Sequence, residues 1–337
     1  YKRPIYVMGL NFTLDNIIYF LKNKGIQIDG IIDDFSNKEE YLNIPVFPLK
    51  SIKSRNCIII ISANVRPLTI KRKLLSNGYD KIIFYFHLYL LEEEMLNTII
   101  HCNNNIRDID INKNKYYELY NKMADLNSKN TLQNLINFRY NFDAKPMESY
   151  SCNTEEQYFD SVIQFSKNEV FVDCGGYDGD TTKRFIEKNP NYAKIYFFEP
   201  YIEYYNLAMR NLNQYKNISF FQKATYNNNA FLKFVVAKEA SAIDEKGEIT
   251  IEASKLDDII KEKVTFIKMD VEGAEYESVL GAKNLIQQYK PKLAICVYHK
   301  QEHFWKIPEL VLNINNDYEI YLRHYSEGFS ETVMYFV

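Results

Sequence analysis

The sequence predicts an α/β protein with two successive strand–helix series, the second longer than the first, joined by a helical stretch. Three observations carry that prediction. Short apolar runs of strand length recur along the chain, residues 57–61 and 81–86 among them. Segments of helical spacing separate most of these runs, so the strands are joined by crossovers and pair in parallel. Between the two series the chain turns polar and Asn-rich at residues 102–107, then helical in pattern from 115 to 142.

In the first series, residues 4–10 read as a strand and 14–22 as a helix. A second strand covers 26–32 and ends in Asp33-Asp34, a third covers 57–62, a helix follows at 70–75, and a fourth strand covers 81–86. Residues 1–100 therefore read as a small Rossmann-like α/β domain. Its first turn has Gly9 followed by Asn11 and Leu14, so the G-x-G-x-x-G fingerprint is absent. A structural or oligomerising role is expected there, with a site for the nucleotide part of a substrate as the alternative and a homo-oligomer left open. Residues 101–154 read as a helical linker with a loop at 146–152. The third domain, 155–337, has expected strands at 170–173, 195–199, 218–223, 265–270 and 292–297, and helices at 181–188, 201–212 and 275–289. Two last strands, 318–322 and 332–336, follow with no clear helix between them. The result is a seven-stranded, mostly parallel sheet ending in a hairpin.

Composition narrows the function. A 337-residue chain that is 46% hydrophobic and 25% charged has ample material for a core. Its net charge of −3 lacks the basic surplus that nucleic-acid binders use, so no nucleic-acid partner is expected. No apolar run reaches the roughly 18 residues of a membrane span. Cys57, Cys102, Cys152, Cys174 and Cys296 are odd in number and scattered, which argues against disulfides and zinc knuckles and for a reducing cytoplasm. No secretory leader is legible. The chain opens on Tyr1 and reads as trimmed, which leaves an earlier targeting segment open.

The chemistry concentrates in Asp173-Cys174-Gly175-Gly176-Tyr177-Asp178-Gly179-Asp180-Thr181-Thr182, an apolar strand, a glycine turn and a helix start. Glycines let backbone approach a ligand, and helix amides supply donors. A dinucleotide loop shares this layout. The three carboxylates of Asp173, Asp178 and Asp180 repel a pyrophosphate and suit the sulfonium and ammonium of S-adenosylmethionine. Glu199, closing the next strand 26 residues after Asp173, is placed to accept hydrogen bonds from a ribose diol. The expected cofactor set is Gln157, Tyr158, Asp173, Gly175, Gly176, Tyr177, Asp178, Gly179, Thr181, Glu199, Ala224 and Asp270. Within it, Gln157 and Tyr158 read as a lid and Ala224 follows the third strand.

With Phe198-Glu199-Pro200, Lys255-Leu256-Asp257-Asp258, Phe266-Ile267-Lys268-Met269-Asp270-Val271-Glu272-Gly273-Ala274-Glu275 and Val279-Leu280-Gly281-Ala282, this turn resembles the FkbM family of methyltransferases over residues 156–337, about half the chain. The resemblance implies a class I methyltransferase fold and S-adenosylmethionine-dependent O-methylation. Its implied acceptor is a sugar or nucleotide sugar of a bacterial surface polysaccharide, or a natural-product intermediate. A nicotinamide-dependent oxidoreductase and a catalytically inactive binding protein are the rival readings.

A sugar hydroxyl needs a base as it is methylated. His299, just past the fifth strand, is the first choice because histidine titrates near neutrality. Asp270 and Glu272 follow the fourth strand and are the other catalytic candidates. Tyr298, Trp305 and His324 are assigned to the acceptor. His299-Lys300-Gln301-Glu302-His303 also spells H-x-x-E-H, but that zinc pattern needs one continuous helix, and here it abuts a strand. No metal is assigned, although Asp270 and Glu272 permit Mg²⁺.

Overall fold

The computed structural model describes residues 3–11, 13–91, 105–236 and 241–337. It divides into two compact units. Unit 1 comprises Tyr1–Ile111, Gln133–Thr154 and Tyr325–Glu331; unit 2 comprises Asn112–Leu132, Glu155–His324 and Thr332–Val337.

Unit 1 runs through β1 (Ile5–Met8), α1 (Leu14–Asn23), β2 (Gly30–Ile32), β3 (Glu40–Tyr41), β4 (Ile44–Phe47), β5 (Ile58–Ile61), α2 (Pro67–Ser76) and β6 (Ile82–Phe84). Its sheet has the order β3-β4-β2-β1-β5-β6 and is parallel except at the β3–β4 hairpin. That hairpin was not anticipated. Leu42 and Asn43 form its two-residue turn at φ 50 and 61, the left-handed pair that a tight hairpin requires. Strand β2 also starts later than expected: residues 26–29 are irregular, and the Asp29 carboxylate accepts the Ile5 amide at 2.8 Å.

The turn after β1 is closed by its own side chains. The Ser62 hydroxyl lies 2.8 Å from the Met8 carbonyl oxygen and accepts from Asn11 Nδ2 at 3.1 Å. The Asp33 carboxylate accepts the amides of Leu10, Phe35 and Ser36. The late segment Tyr325–Glu331 is a buried part of this unit. Glu327, 1% exposed, accepts the Thr69 amide and hydroxyl at 2.6 Å each and pairs with Arg72 at 2.7 Å. Its charge thus sits at the first turn of α2, where the helix dipole favours an anion. Phe329 packs against Phe86 and Phe138, with ring centroids 5.6 and 4.3 Å away.

The linker forms two helices, α3 (Asn105–Lys122) and α4 (Leu126–Asn141), where one stretch over 115–142 was expected. The break follows from two local bonds. The Ala124 amide donates to the Ile320 carbonyl at 2.9 Å, and Asp125 caps α4 by accepting the Ser128 amide at 2.7 Å. The unit division falls inside both helices, after Ile111 and after Leu132. Cys102 and most of the polar stretch at 102–107 lie outside the described residues.

Unit 2 continues with β7 (Val170–Cys174), α5 (Asp180–Lys188), β8 (Lys194–Phe198), α6 (Ile202–Asn211), β9 (Ile218–Phe221), β10 (Ala224–Thr225), β11 (Ala230–Val235), β12 (Ala242–Ile243), β13 (Ile249–Ser254), α7 (Leu256–Ile259), β14 (Phe266–Met269), α8 (Glu275–Gly281), α9 (Lys283–Tyr289), β15 (Lys292–Cys296), α10 (His303–Ile314), β16 (Ile320–His324) and β17 (Thr332–Phe336). Seven strands form one sheet in the order β16-β17-β15-β14-β7-β8-β9, antiparallel only where β17 meets β15 and β16. The central strands β7 and β14 are buried along their whole length, as apolar runs covered on both faces should be.

A second sheet, β10-β13-β11-β12, occupies a region where the sequence reading placed no element. The expected helix over 275–289 is split at Ala282, where the Asp257 carboxylate accepts the Asn284 and Leu285 amides at 2.9 and 3.0 Å and starts α9 anew. Helix α10 was missed because Pro308 lies inside it, and an interior proline normally argues against a helix. Among the described residues no helix is long and apolar enough to cross a membrane, and Cys57, Cys152, Cys174 and Cys296 form no disulfide.

Candidate functional site

Strand β7 lies between β14 and β8, so the turn that leaves it touches the ends of both. Gly175 has φ +75, and a Cβ there would stand 1.8 Å from the Asp270 carbonyl oxygen. A Cβ at Gly176 would stand 2.0 Å from the Phe197 ring; at Gly179, φ +88, it would stand 2.8 Å from Leu212. The protein's own packing therefore requires these glycines. The sequence reading had assigned them to the approach of a ligand. Thr181 sits in the first turn of α5, its hydroxyl accepting from Arg184 at 3.3 Å.

The acidic turn is also less bare than its sequence suggests. Asp173 is wholly buried, with Oδ1 3.0 Å from Lys268 Nζ and Oδ2 accepting from Thr182 at 2.7 Å. Asp180 pairs with Arg184 at 3.1 Å, and Asp178 Oδ1 accepts the Asp180 amide. Two of the three carboxylates are thus neutralised by cations, one of them brought in by a distant strand. Burial pushes the Lys268 ammonium down, but Asp173 and Asp270 outweigh it and the net shift is upward.

Glu199 closes β8 and is 6% exposed. Its Oε1 accepts the Tyr201 amide at 2.8 Å and Oε2 accepts the Tyr177 amide at 3.1 Å. Burial pushes its carboxyl up to about 7, against the lowering effect of the two amides. Beside it, Tyr177 is half exposed at φ 51, with its ring centroid 4.3 Å from that of Tyr204.

On the other side of the turn, the ends of β14 and β15 converge on an imidazole. His299 is 2% exposed. Its Nε2 lies 3.3 Å from Glu272 Oε2 and 3.6 Å from Asp270 Oδ1, while Nδ1 lies 2.8 Å from Glu275 Oε1. Burial alone lowers an imidazole's pKa; here the charges of Glu275 and Glu272 win and raise it well above 6.5. These two carboxylates hold the ring toward its charged form. Burial, offset only in part by His299, raises the Glu272 carboxyl. Asp270 Oδ2 accepts from the Tyr158 hydroxyl at 2.6 Å.

Ligand atoms of Asp270, Glu275 and His299 lie within 4.8 Å of one another, a spacing a cation could bridge. Glu275 Oε1, however, already takes the Val271 and Gly273 amides besides His299. The donor set therefore belongs to the imidazole and the turn.

Residues 173–330, the stretch that carries all these groups except Tyr158, match the family profile described as the methyltransferase FkbM domain. In sequence this segment is similar to FkbM methyltransferase domains.

The whole chain also resembles the FkbM methyltransferase structure from Methylobacillus flagellatus, at 21% identity and a TM-score of 0.78 over 99% of this chain and 90% of that one. At that identity the likeness is one of α/β methyltransferase fold. An rRNA methylase from Streptococcus thermophilus aligns at 12% identity and a TM-score of 0.35, over 51% of this chain and 86% of that one. A putative methyltransferase from Streptococcus mutans, in complex with SAH, aligns at 14% and 0.33, over 51% and 89%. Scores this low carry no further argument. No curated protein matches the chain in sequence.

Of the remaining sequence-predicted residues, Tyr158 and Tyr298 join the groups around His299, Gln157 adjoins Tyr158, and the others lie apart. Tyr158 belongs to the cluster: it is 3% exposed at φ 72, its amide donates to the Tyr335 hydroxyl at 3.0 Å, and Gln157 Nε2 donates to its hydroxyl at 3.1 Å. Tyr298 packs its ring 4.1 Å from that of His299. Ala224 is a buried strand residue of β10. Trp305 lies on α10 at a cavity of about 400 Å³ that Tyr276, Lys300 and His303 also line, with Lys306 5.5 Å from its ring. His324 ends β16, its Nδ1 2.8 Å from the Thr332 hydroxyl, so it is committed to the edge hairpin.

Sequence reasoning missed Lys268, Glu275 and the pairing role of His303. His303 Nδ1 lies 3.2 Å from Glu275 Oε2, so the two histidines of H-x-x-E-H do converge, on a carboxylate. A lone lysine inside the apolar run Val264-Thr265-Phe266-Ile267-Lys268-Met269 was the available signal for the first, because lysine is almost never fully buried without a partner.

Proposed function

We propose that the FkbM-like domain is an S-adenosylmethionine-dependent O-methyltransferase that acts on a carbohydrate hydroxyl. The observation that carries this reading is adjacency. A single turn, at residues 175–179, touches the Glu199 carboxylate on one side and the Asp270 backbone on the other. Glu199 fits a ribose: an ionised carboxylate has about four acceptor sites, and its two amides use two of them. Tyr177 offers an aromatic face beside it.

S-adenosylmethionine supplies a methyl group on a cationic sulfur and leaves as S-adenosylhomocysteine. The chain's task is positioning and proton removal. As the acceptor's O–H bond breaks, the proton passes to Glu272, whose side chain is 30% exposed and whose raised pKa makes it a better base than an ordinary carboxylate. His299 holds Glu272 in place as its counter-ion, and Tyr158 fixes Asp270.

Calorimetry with S-adenosylhomocysteine tests the cofactor half of this reading. Binding by the wild type is expected, with Glu199→Gln weaker by roughly 1.5–3 kcal/mol, the worth of hydrogen bonds to a charged group. Equal affinity in the variant removes the site. Mass-spectrometric detection of methyl transfer to a panel of nucleotide sugars and glycosides tests the acceptor half. Binding of NAD instead of S-adenosylhomocysteine turns the reading to an oxidoreductase.

A further inference from the structure

Glu275 is buried at the first position of α8 with 0% exposure, and two backbone amides and two imidazole nitrogens close around its carboxylate. Oε1 accepts the Val271 amide at 3.0 Å and the Gly273 amide at 3.3 Å and faces His299 Nδ1 at 2.8 Å; Oε2 faces His303 Nδ1 at 3.2 Å. These groups come from the turn after β14, the residues after β15 and the start of α10. We propose that Glu275 is the positioning residue of this site: one enclosed carboxylate holds both histidines and the turn together, and so aims His299 Nε2 at Glu272 and Asp270. The proposal rests on the reading of Glu272 as proton acceptor.

Two features make a carboxylate necessary here. The first is the turn's backbone. Glu272 and Gly273 are consecutive left-handed residues, at φ 52 and 95. A side chain at Glu272 makes that conformation unfavourable, and the amides Glu275 holds are those immediately before and after Glu272. The second is the ring. With Nδ1 fixed against Glu275, Nε2 is left pointing to the opposite side, where Glu272 and Asp270 stand. A buried carboxylate behind Nδ1 sets ring orientation in the same way as the third member of a nucleophile–histidine–carboxylate triad. Glutamine cannot substitute, because it has one acceptor oxygen and its NH₂ would oppose a ring nitrogen or an amide.

Every group that faces His299 enters the test. They are Asp270 from the end of β14, Glu272 from the turn and Glu275 from α8. His303 on α10 shares Glu275, and the Tyr298 ring lies alongside. Among the favourable influences on the His299 charge, Glu275 stands first.

The experiment uses the full chain with ¹⁵N-labelled histidine. In Glu275→Gln the His299 titration should move to lower pH, and the alkaline limb of kcat should move with it. kcat should fall roughly 10–100-fold, as when the partner behind a functional histidine is lost, with affinity for S-adenosylhomocysteine retained. Glu275→Asp keeps the charge and withdraws it by one methylene. It should leave the titration near that of the wild type while kcat stays reduced, and it serves in place of Glu275→Gln if that variant does not fold. A wild-type His299 titration in Glu275→Gln, or wild-type kcat in Glu275→Asp, overturns the proposal. Failure of the underlying reading looks different: Glu272→Gln with wild-type kcat removes the base, yet the ligand-free His299 titration still decides what Glu275 does.

Discussion

Glu199 stands between two opposing effects, and its pH behaviour follows from them. Burial favours the protonated carboxyl and the two amides favour the ionised one, with a balance near 7. A ribose diol donates hydrogen bonds, so it binds the ionised form. The folded pKa lies above the ordinary value of about 4.3, so the apo protein loses stability as pH rises from there through about 7, and a bound diol restores it. Affinity for S-adenosylhomocysteine should therefore weaken as pH falls below about 7, approaching about tenfold per pH unit. Glu199→Gln should abolish that slope. A flat calorimetric profile between pH 5 and 8 in the wild type would show that no hydroxyl reaches this carboxylate. Glu199 was legible in the sequence because a strand-closing acid is a local pattern. Its protonation was not, since that depends on how deeply the folded chain buries it.

At the scale of elements, β7 and β14 are joined by more than their ladder. Lys268 sits opposite Asp173 in the parallel register, and the two form an ion pair with side chains 2% and 0% exposed. Removing one member of a buried pair leaves an unpaired charge, at a cost of about 3–5 kcal/mol. Lys268→Met should lower the unfolding free energy measured in urea by that order, and adding Asp173→Asn should recover part of the loss. A double variant no more stable than Lys268→Met would show that the pair's worth lies elsewhere, for example in the 2.7 Å bond from Lys268 to the Gly175 carbonyl. Strands β7, β8, β14 and β15 were readable because covered parallel strands are mostly apolar runs, and the edge strand β9 because of its isoleucine and two phenylalanines. The small sheet β10-β13-β11-β12 was not. Its strands alternate exposed and buried residues over short lengths, as in the pattern of β11, and two of them are only two residues long. Helix α10 was hidden by Pro308, which lies inside it.

For the whole molecule, the sequence reading cut the chain at residues 100 and 154, where composition changes. The compact units do not follow those cuts, because Gln133–Thr154 and Tyr325–Glu331 both return to unit 1. Nothing local marks such a return. In sequence, Ser326-Glu327-Gly328-Phe329 is an ordinary polar loop between two strands, and only contacts with residues more than 180 positions away, such as Phe138, bury it. Phe329 is 0% exposed, so Phe329→Ala should cost about 3–5 kcal/mol, seen as a lower midpoint in chemical denaturation. An unchanged midpoint would mean that the segment contributes nothing to unit 1.

The placement of that segment also bears on how the protein is made. Multidomain chains commonly complete their N-terminal part first, while the rest is still being synthesised. Here that order is blocked. The first turn of α2 receives its anion from Glu327, and the Phe86–Phe138 core receives its third ring from Phe329, residues that follow β16, when six of the seven strands of the large sheet in unit 2 have already been made. Unit 1 therefore stays incomplete during synthesis until residues 325–331 have emerged, after most of unit 2 has been made.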